Sequence, residues 1–280
     1  MRLLIGILLL FITVQITTPT DSIAGTRLPS VPDSKYLEYG KKHQCVLPIQ
    51  GIMSNDLNST FRGSCILISP KYIITAAHVV AGSLSQNVIF NNKVVPVSII
   101  AIHSDWKYDK TGIADIAVGK LSKPINLDFY PELYTESDEM SKVCSMAGYG
   151  HHGTFKTGWK PFDNKRRAGS NLVAEMYKDC LLVKSDDAHT SLEFLIAPGD
   201  SGGGMFIDQK LAGINSFIMA TDGKGDSDYG DDACFTRISK FIPWIKAVKE
   251  QIEIIDKLTP EQIATIQKIQ KERVKSEKKK

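Results

Sequence analysis

Between about residues 44 and 237 the chain alternates short apolar runs with clusters of Gly, Asn, Asp and Pro. Examples are Cys65-Ile66-Leu67-Ile68, Tyr72-Ile73-Ile74 and Val94-Val95-Pro96-Val97, followed by residues 143–147, 180–183, 191–196, 204–207 and 211–219. Runs this short, bounded by turn formers, predict the strands of an all-β sandwich or barrel. The period changes near Ser239. There Phe241, Ile242, Ile245, Val248 and Ile252 recur at helical intervals with Lys and Glu between them, which predicts a C-terminal helix with one apolar face on the strands. Thr259 ahead of Pro260, with Gln262 three residues on, reads as another helix start, and Ile263, Ile266 and Ile269 form a stripe before a basic end. That end reads as a frayed, solvated extension or, alternatively, a tether to an anionic surface. Residues 25–42 hold Pro29, Pro32 and several charges, and read as an extended lead-in rather than a folded element.

The first residues change the picture. Arg2 and an apolar run over residues 3–14 suit an export leader but fall short of the roughly 20 residues of a spanning helix. Ser22-Ile23-Ala24 offers the small-residue cut, so the expectation is a secreted or periplasmic protein, the alternative being an uncleaved membrane anchor. The body holds few spare cations: residues 257–280 carry eight Lys or Arg against three Glu, an excess larger than the whole chain's net +3. What precedes them is slightly acidic and lacks the basic face that nucleic acid requires, so no nucleic-acid partner is expected. Membrane contact is expected only through an uncleaved leader or the basic tail, and oligomeric state is not readable. Five cysteines, Cys45, Cys65, Cys144, Cys180 and Cys234, show no metal or redox spacing, and their odd number leaves at least one unpaired in the monomer. His151-His152 has no third ligand spaced nearby, and Asp226-Ser227-Asp228 lacks the downstream Glu of a calcium loop, so neither metal nor cofactor is expected.

The stretch richest in chemistry is Pro198-Gly199-Asp200-Ser201-Gly202-Gly203-Gly204. Its glycines permit a sharp turn that presents Ser201 and aims the N–H groups of Gly199 and Ser201 at one point, as an oxyanion requires. Serine becomes a useful nucleophile only beside an imidazole base whose tautomer a carboxylate fixes. His78, at the end of Tyr72-Ile73-Ile74-Thr75-Ala76-Ala77-His78, is the candidate base. Among Asp105, Asp109 and Asp115, the last is enclosed by Ile113, Ala114, Ile116, Ala117 and Val118, where a charge survives only with a partner. Distance along the chain does not establish that the three meet.

The order Thr75-Ala76-Ala77-His78, Asp115-Ile116-Ala117 and Gly199-Asp200-Ser201-Gly202-Gly203 resembles the chymotrypsin/trypsin family of serine proteases, over about residues 44 to 250. The resemblance implies an all-β fold of two antiparallel six-stranded β-barrels with a C-terminal α-helix. It implies a triad of His78, Asp115 and Ser201 in the cleft between the barrels, and an oxyanion hole of Gly199 and Ser201. Residue pattern and resemblance together give the expected division: a leader (1–24), an extended segment (25–43), two barrels (44–138 and 139–238), a helix (239–256) and a basic tail (257–280). By the same resemblance Ser216, Phe217 and Ile218 pair with a peptide or protein substrate as an added strand. Leu195 and Ile196 stand where trypsin-like cleavage needs a carboxylate, and Ile218 narrows the pocket, which implies small or medium apolar residues at the cleaved bond. A one-residue shift would instead bring Asp232 to the pocket floor.

Departures are equally specific. The bridge beside the histidine would need Cys65 to meet a cysteine at 79, where Val79 stands, and Ala197 replaces another bridging cysteine. No basic residue followed by Ile-Val-Gly-Gly is present, so Asp200, whose family partner is a freed amino terminus, must be held otherwise, by backbone donors for instance. Lys165-Arg166-Arg167 reads as a solvated charge run in a loop rather than a processing site. The expected activity is a serine endopeptidase; the alternative is a non-catalytic homologue serving as a binding module.

Overall fold

The computed structural model describes residues 25–107, 112–160, 163–185, 189–220, 222–259, 261, 262 and 265. The expected leader, Asp109 and the Ile263, Ile266, Ile269 stripe of the tail lie outside the described residues. The elements run β1 (Gly25–Arg27), α1 (Asp33–Gly40), β2 (Val46–Met53), β3 (Thr60–Ser69), β4 (Tyr72–Thr75), α2 (Ala77–Val80), β5 (Ser83–Phe90), β6 (Lys93–Ile102) and β7 (Ala117–Leu121). They continue through β8 (Val143–Gly148), β9 (His152–Thr154), β10 (Gly158–Lys160), β11 (Arg167–Leu172), β12 (Glu175–Tyr177), β13 (Cys180–Lys184), β14 (Phe194–Leu195), β15 (Gly204–Ile207), β16 (Lys210–Met219), β17 (Asp232–Arg237) and α3 (Ile238–Ile255).

Strands β2 to β7 close a barrel in the order β2-β3-β4-β7-β6-β5. The short apolar runs fill it: Val46, Ile49, Ile66, Leu67, Ile73, Ile74, Val88 and Val118 are wholly buried. Register shifts in β2, β3 and β6 supply the local bends that closure demands. The second half is a seven-stranded sheet, β11-β8-β15-β16-β17-β13-β12, flanked by a four-stranded sheet, β10-β9-β1-β14. The fold is the expected mostly-β class. The two halves share one apolar cluster, in which Ala147, Phe206 and Ile214 join the barrel core to Ile238, Phe241, Ile245, Val248 and Ile252 of α3.

That α3 stripe is the helical period of the sequence, and its far end is pinned by charge. The Lys120 side chain, 5% exposed, meets Glu253 at 3.0 Å and Asp256 at 2.7 Å. Beyond α3, the Thr259 N–H donates to Gln262 Oε1 (2.8 Å) and the Gln262 N–H to Thr259 Oγ1 (3.3 Å), the reciprocal cap expected there.

Two expectations are corrected. Residues 25–43 are folded: β1 pairs with β14 and β9, and α1 buries Tyr36 against Phe194 with its hydroxyl donating to the Glu193 carbonyl at 3.1 Å. Their partners lie more than a hundred residues away, so no local pattern announces them. Lys165-Arg166-Arg167 is not a solvated run either. Arg167 is buried, with bonds of 2.7 and 2.6 Å to Asp33 and of 3.0 and 3.2 Å to Asp163, which tie α1 to β11. Val79, at the position of the missing bridging cysteine, packs beside Gly63: a Cβ on Gly63 would lie 2.8 Å from Val79 Cγ1. All five cysteines are free and buried, and burial pushes the Cys45, Cys144 and Cys180 thiols up to about 12.

Candidate active site

Strand β4 ends at Thr75, and the small buried pair Ala76-Ala77 lets the chain turn into α2 with His78 at its surface. Asp115 sits just before β7, buried by Ala114 and Ile116. Its carboxylate accepts from His78 Nδ1 (2.7 Å), the His78 backbone N–H (2.9 Å) and the Ser216 hydroxyl (2.5 Å). Burial by itself would raise the Asp115 pKa, but the bonds and charge of His78 and the Ser216 hydroxyl hold it below 3.8. A carboxylate can only accept, so Nδ1 carries the proton and Nε2 of the neutral ring is left as an acceptor. Asp105, the other described candidate, lies in an exposed turn whose N–H contacts His103.

Ser201 follows a tight turn in which the Asp200 N–H donates to the Ala197 carbonyl at 2.9 Å. Pro198 and Gly199 occupy its centre, and Gly199 has φ +91°, a left-handed value that favours glycine there. The turn docks on the first barrel. The Ser64 N–H donates to the Ser201 carbonyl (2.8 Å), and the Ser64 hydroxyl donates to the Gly199 carbonyl (3.1 Å). Gly202 makes this approach possible, because a Cβ there would lie 2.1 Å from Thr75 Oγ1. The Ser201 hydroxyl donates to the Ser216 carbonyl at 3.5 Å, and among the described residues no hydrogen bond joins it to His78. Ser216 therefore links the groups, its carbonyl facing Ser201 and its hydroxyl Asp115. The sequence marks Ser216 only as a backbone partner for substrate; the role of its hydroxyl has no local signal, and neither has that of Ser64.

Asp200 is wholly buried and accepts from the Gly150 N–H (2.7 Å) and the Ala197 N–H (2.9 Å), with the Gly25 N–H as a third backbone donor. Burial pushes this carboxyl up to about 7 despite those donors. Gly25 has φ +65°, and a Cβ there would lie 1.9 Å from the Phe194 ring, so only glycine fits beside Asp200.

The expected substrate-binding residues separate into two groups. Phe217 and Ile218 are partly exposed on β16, past the register shift that re-aims Ser216. Leu195 and Ile196 are 0% and 2% exposed and belong to the core, because β14 is covered by β1. Asp232 pairs with Lys184 and Met219 in the sheet; the carboxylate buried behind Ile196 is Asp231, bonded through Ser227, whose hydroxyl donates to the Ile196 carbonyl at 2.8 Å. Burial and neighbouring aspartates push Asp231 up to about 6. Asp226, Asp228 and Asp231 bring carboxylate oxygens within 4.8 Å of one another. His43 is a separate buried histidine, bonded to the Tyr39 carbonyl and to Ser145 Oγ (2.9 Å) and driven down to about 4 by burial.

A family model described as Trypsin matches residues 41–245. The chain belongs to the trypsin family. Among curated relatives, an ovochymase of Halocynthia roretzi is 27% identical over 65% of this trypsin-family chain, which spans only 13% of that protein. A Mus musculus tryptase is 22% identical over 64% of this chain and 75% of its own. Among solved structures, HL collagenase aligns over 81% of this chain and 98% of its own with TM-score 0.61 at 20% identity. Neuropsin, a serine protease expressed in the limbic system of mouse brain, aligns over 74% of this chain and 95% of its own with TM-score 0.56 at 18% identity. Likenesses this distant establish the fold. No described helix is long and apolar enough to cross a membrane.

Proposed function

We propose that the protein is an exported serine endopeptidase. The observation that carries this reading is the 2.7 Å bond from His78 Nδ1 to Asp115 Oδ2, made within one residue, Ser216, of the Ser201 hydroxyl. Ser201 Oγ attacks the carbonyl carbon of the scissile bond while His78 Nε2 takes its proton, and Asp115 stabilises the imidazolium that forms. The N–H groups of Gly199 and Ser201, neither of which donates to a described partner, hold the oxyanion. The tetrahedral intermediate expels the amine, which takes the proton from His78; water activated by the same ring then releases the acyl group. A small or medium apolar residue precedes the cut, a preference supported by the partly exposed Ile218, which narrows the pocket, and not by Leu195 and Ile196, which are covered by β1.

Leader removal after Ala24 would turn the Gly25 N–H that faces Asp200 into an ammonium. That replaces a missing activation segment with the export step itself, and gives the buried carboxylate its counter-charge. A fluorophosphonate probe and a peptide library test the reading: Ser201 labels, and Ser201→Ala abolishes both labelling and cleavage. The competing reading is a non-catalytic binding module, favoured by the Ser201 hydroxyl resting on the Ser216 carbonyl rather than on His78. It prevails if the parent protein neither labels nor cleaves while still capturing peptides.

A further inference from the structure

The three cations of Lys165-Arg166-Arg167 have different partners. Lys165 meets Asp163 at 3.2 Å, and Arg167 is buried between Asp33 and Asp163. Arg166 has no carboxylate within ion-pair distance among the described residues. Its guanidinium is fixed by neutral acceptors instead: Nε donates to the Gly40 carbonyl (2.7 Å), and Nη1 donates to the Val46 carbonyl (2.9 Å) and Tyr149 Oη (3.2 Å). It also lies 5.8 Å from the Tyr149 ring centroid. The Nη2 group has no described partner.

Arg166 lines an open cleft of about 880 Å³ together with Lys41, Gln44, Arg62, Gly63 and Tyr149. Lys41 is already paired with Glu38 at 2.5 Å. One carboxylate, the exposed Asp128, stands on the cleft wall and makes no ion pair with Arg166. On its lining, Gly63 adjoins the backbone of the candidate nucleophile: a Cβ there would lie 3.1 Å from the Ser201 carbonyl oxygen. Tyr149 continues the connection, since its N–H donates to the Ser64 hydroxyl (3.0 Å) that in turn donates to the Gly199 carbonyl. Gly63 and Ser64 thus place this cleft beside the turn that carries Ser201.

We propose that the cleft receives the substrate residues that follow the scissile bond, and that Arg166 selects an acidic side chain among them. The proposal rests on the endopeptidase reading and names its substrate class. A guanidinium already held in place loses little freedom when a carboxylate arrives, and a half-buried charge is less screened than a surface one. The neutral acceptors around Arg166 leave its positive charge uncompensated, so a carboxylate gains what a carboxamide of the same shape does not.

The test uses two peptide series with a fixed apolar residue before the cut and Glu or Gln walked through the four positions after it. Parent protein beginning at Gly25 is assayed for kcat/KM, and its Ser201→Ala form for binding by fluorescence anisotropy. The expected result is a Glu-over-Gln ratio of about tenfold at one position, the range of a charged hydrogen bond, falling as salt rises. Arg166→Gln brings that ratio close to one, and Arg166→Lys retains part of it; the ratio is internal to each protein, so a change in overall folding does not mimic the result. Equal handling of Glu and Gln at all four positions, or a ratio unmoved in Arg166→Gln, overturns the proposal. Cleavage without acidic preference sinks the cleft alone. Glu-selective binding with no cleavage and no probe labelling sinks the endopeptidase reading and leaves the acid-selective cleft standing.

Discussion

Two buried aspartates, one from each half of the molecule, have opposite electrostatics. Asp115 is held below 3.8 because an imidazole, a backbone N–H and a hydroxyl converge on it. Asp200, wholly buried, is pushed up to about 7 although three backbone N–H groups face it. Burial penalises both charges; the difference is that Asp115 is hydrogen-bonded by a group able to become a cation, whereas Asp200 is hydrogen-bonded only by neutral donors and feels the charge of Arg167 weakly. The first half thus holds a hydrogen-bonded ion-forming pair, while the second holds a buried acid bonded only to backbone N–H groups, that of Gly25 among them.

The sharpest way to break this contrast is Asp115→Asn. The amide can offer Nδ1 the wrong partner and so the wrong tautomer, and kcat is expected to fall about 10⁴-fold, the loss seen when a triad carboxylate is neutralised. Steady-state hydrolysis of an apolar-site peptide measures it, and a loss under tenfold removes Asp115 from the mechanism.

The second half is tested through pH. A carboxyl raised from 3.8 to about 7 leaves the unfolded state with fewer bound protons between those values. The contribution of Asp200 to stability is therefore greatest below about 4 and declines as pH rises toward 7, by up to about 4 kcal/mol. Urea unfolding at pH 4.5 and 7.5 of protein extended upstream of Gly25 is expected to show the decline, and Asp200→Asn to flatten it. In protein beginning at Gly25 the ammonium shrinks it, and probe labelling of Ser201 rises. Equal labelling of both forms separates export from activation. Asp115 works with the opposite sign: its contribution is present above 3.8 and is lost as acid protonates it.

A smaller effect follows from the left-handed φ of Gly25 and its closeness to Phe194. Gly25→Ala is expected to destabilise the protein by about 2 kcal/mol, read from the urea midpoint, because Ala resists that backbone and overpacks the ring. Smallest is Ser216→Ala. It removes one of three bonds to Asp115 while leaving the carbonyl that faces Ser201, and a loss of about 1 kcal/mol, or up to tenfold in kcat, is expected. A Ser216→Ala protein as impaired as Asp115→Asn would show that the hydroxyl, not the imidazole, sets the charge of Asp115.

Much of this arrangement is legible before any coordinates. Ile113, Ala114 and Ile116 around Asp115 announce a buried acid that needs a partner, and Pro198-Gly199 announces the turn ahead of Ser201. The interval of Phe241, Ile245, Val248 and Ile252 announces α3. Each signal is local, written within one turn or one run. What escapes local reading is of another kind. Tyr36 gives no hint of Phe194, nor Arg167 of Asp33, and the short extended look of residues 25–43 hides both β1 and α1. Leu195 and Ile196 read as pocket walls by position, yet β1 covers them.

The amino-acid sequence by itself determined the strand-rich class, the terminal helix and the residue types able to do acyl chemistry, because backbone sterics and apolar period act over a few neighbouring positions. Only the tertiary structure decided which charges are paired. His78 satisfies Asp115, Asp33 and Asp163 satisfy Arg167, while Arg166 and Asp200 are hydrogen-bonded only to neutral groups. A charge's free energy depends on the dielectric and on partners brought from distant parts of the chain, and these exist only once the two halves have closed on each other.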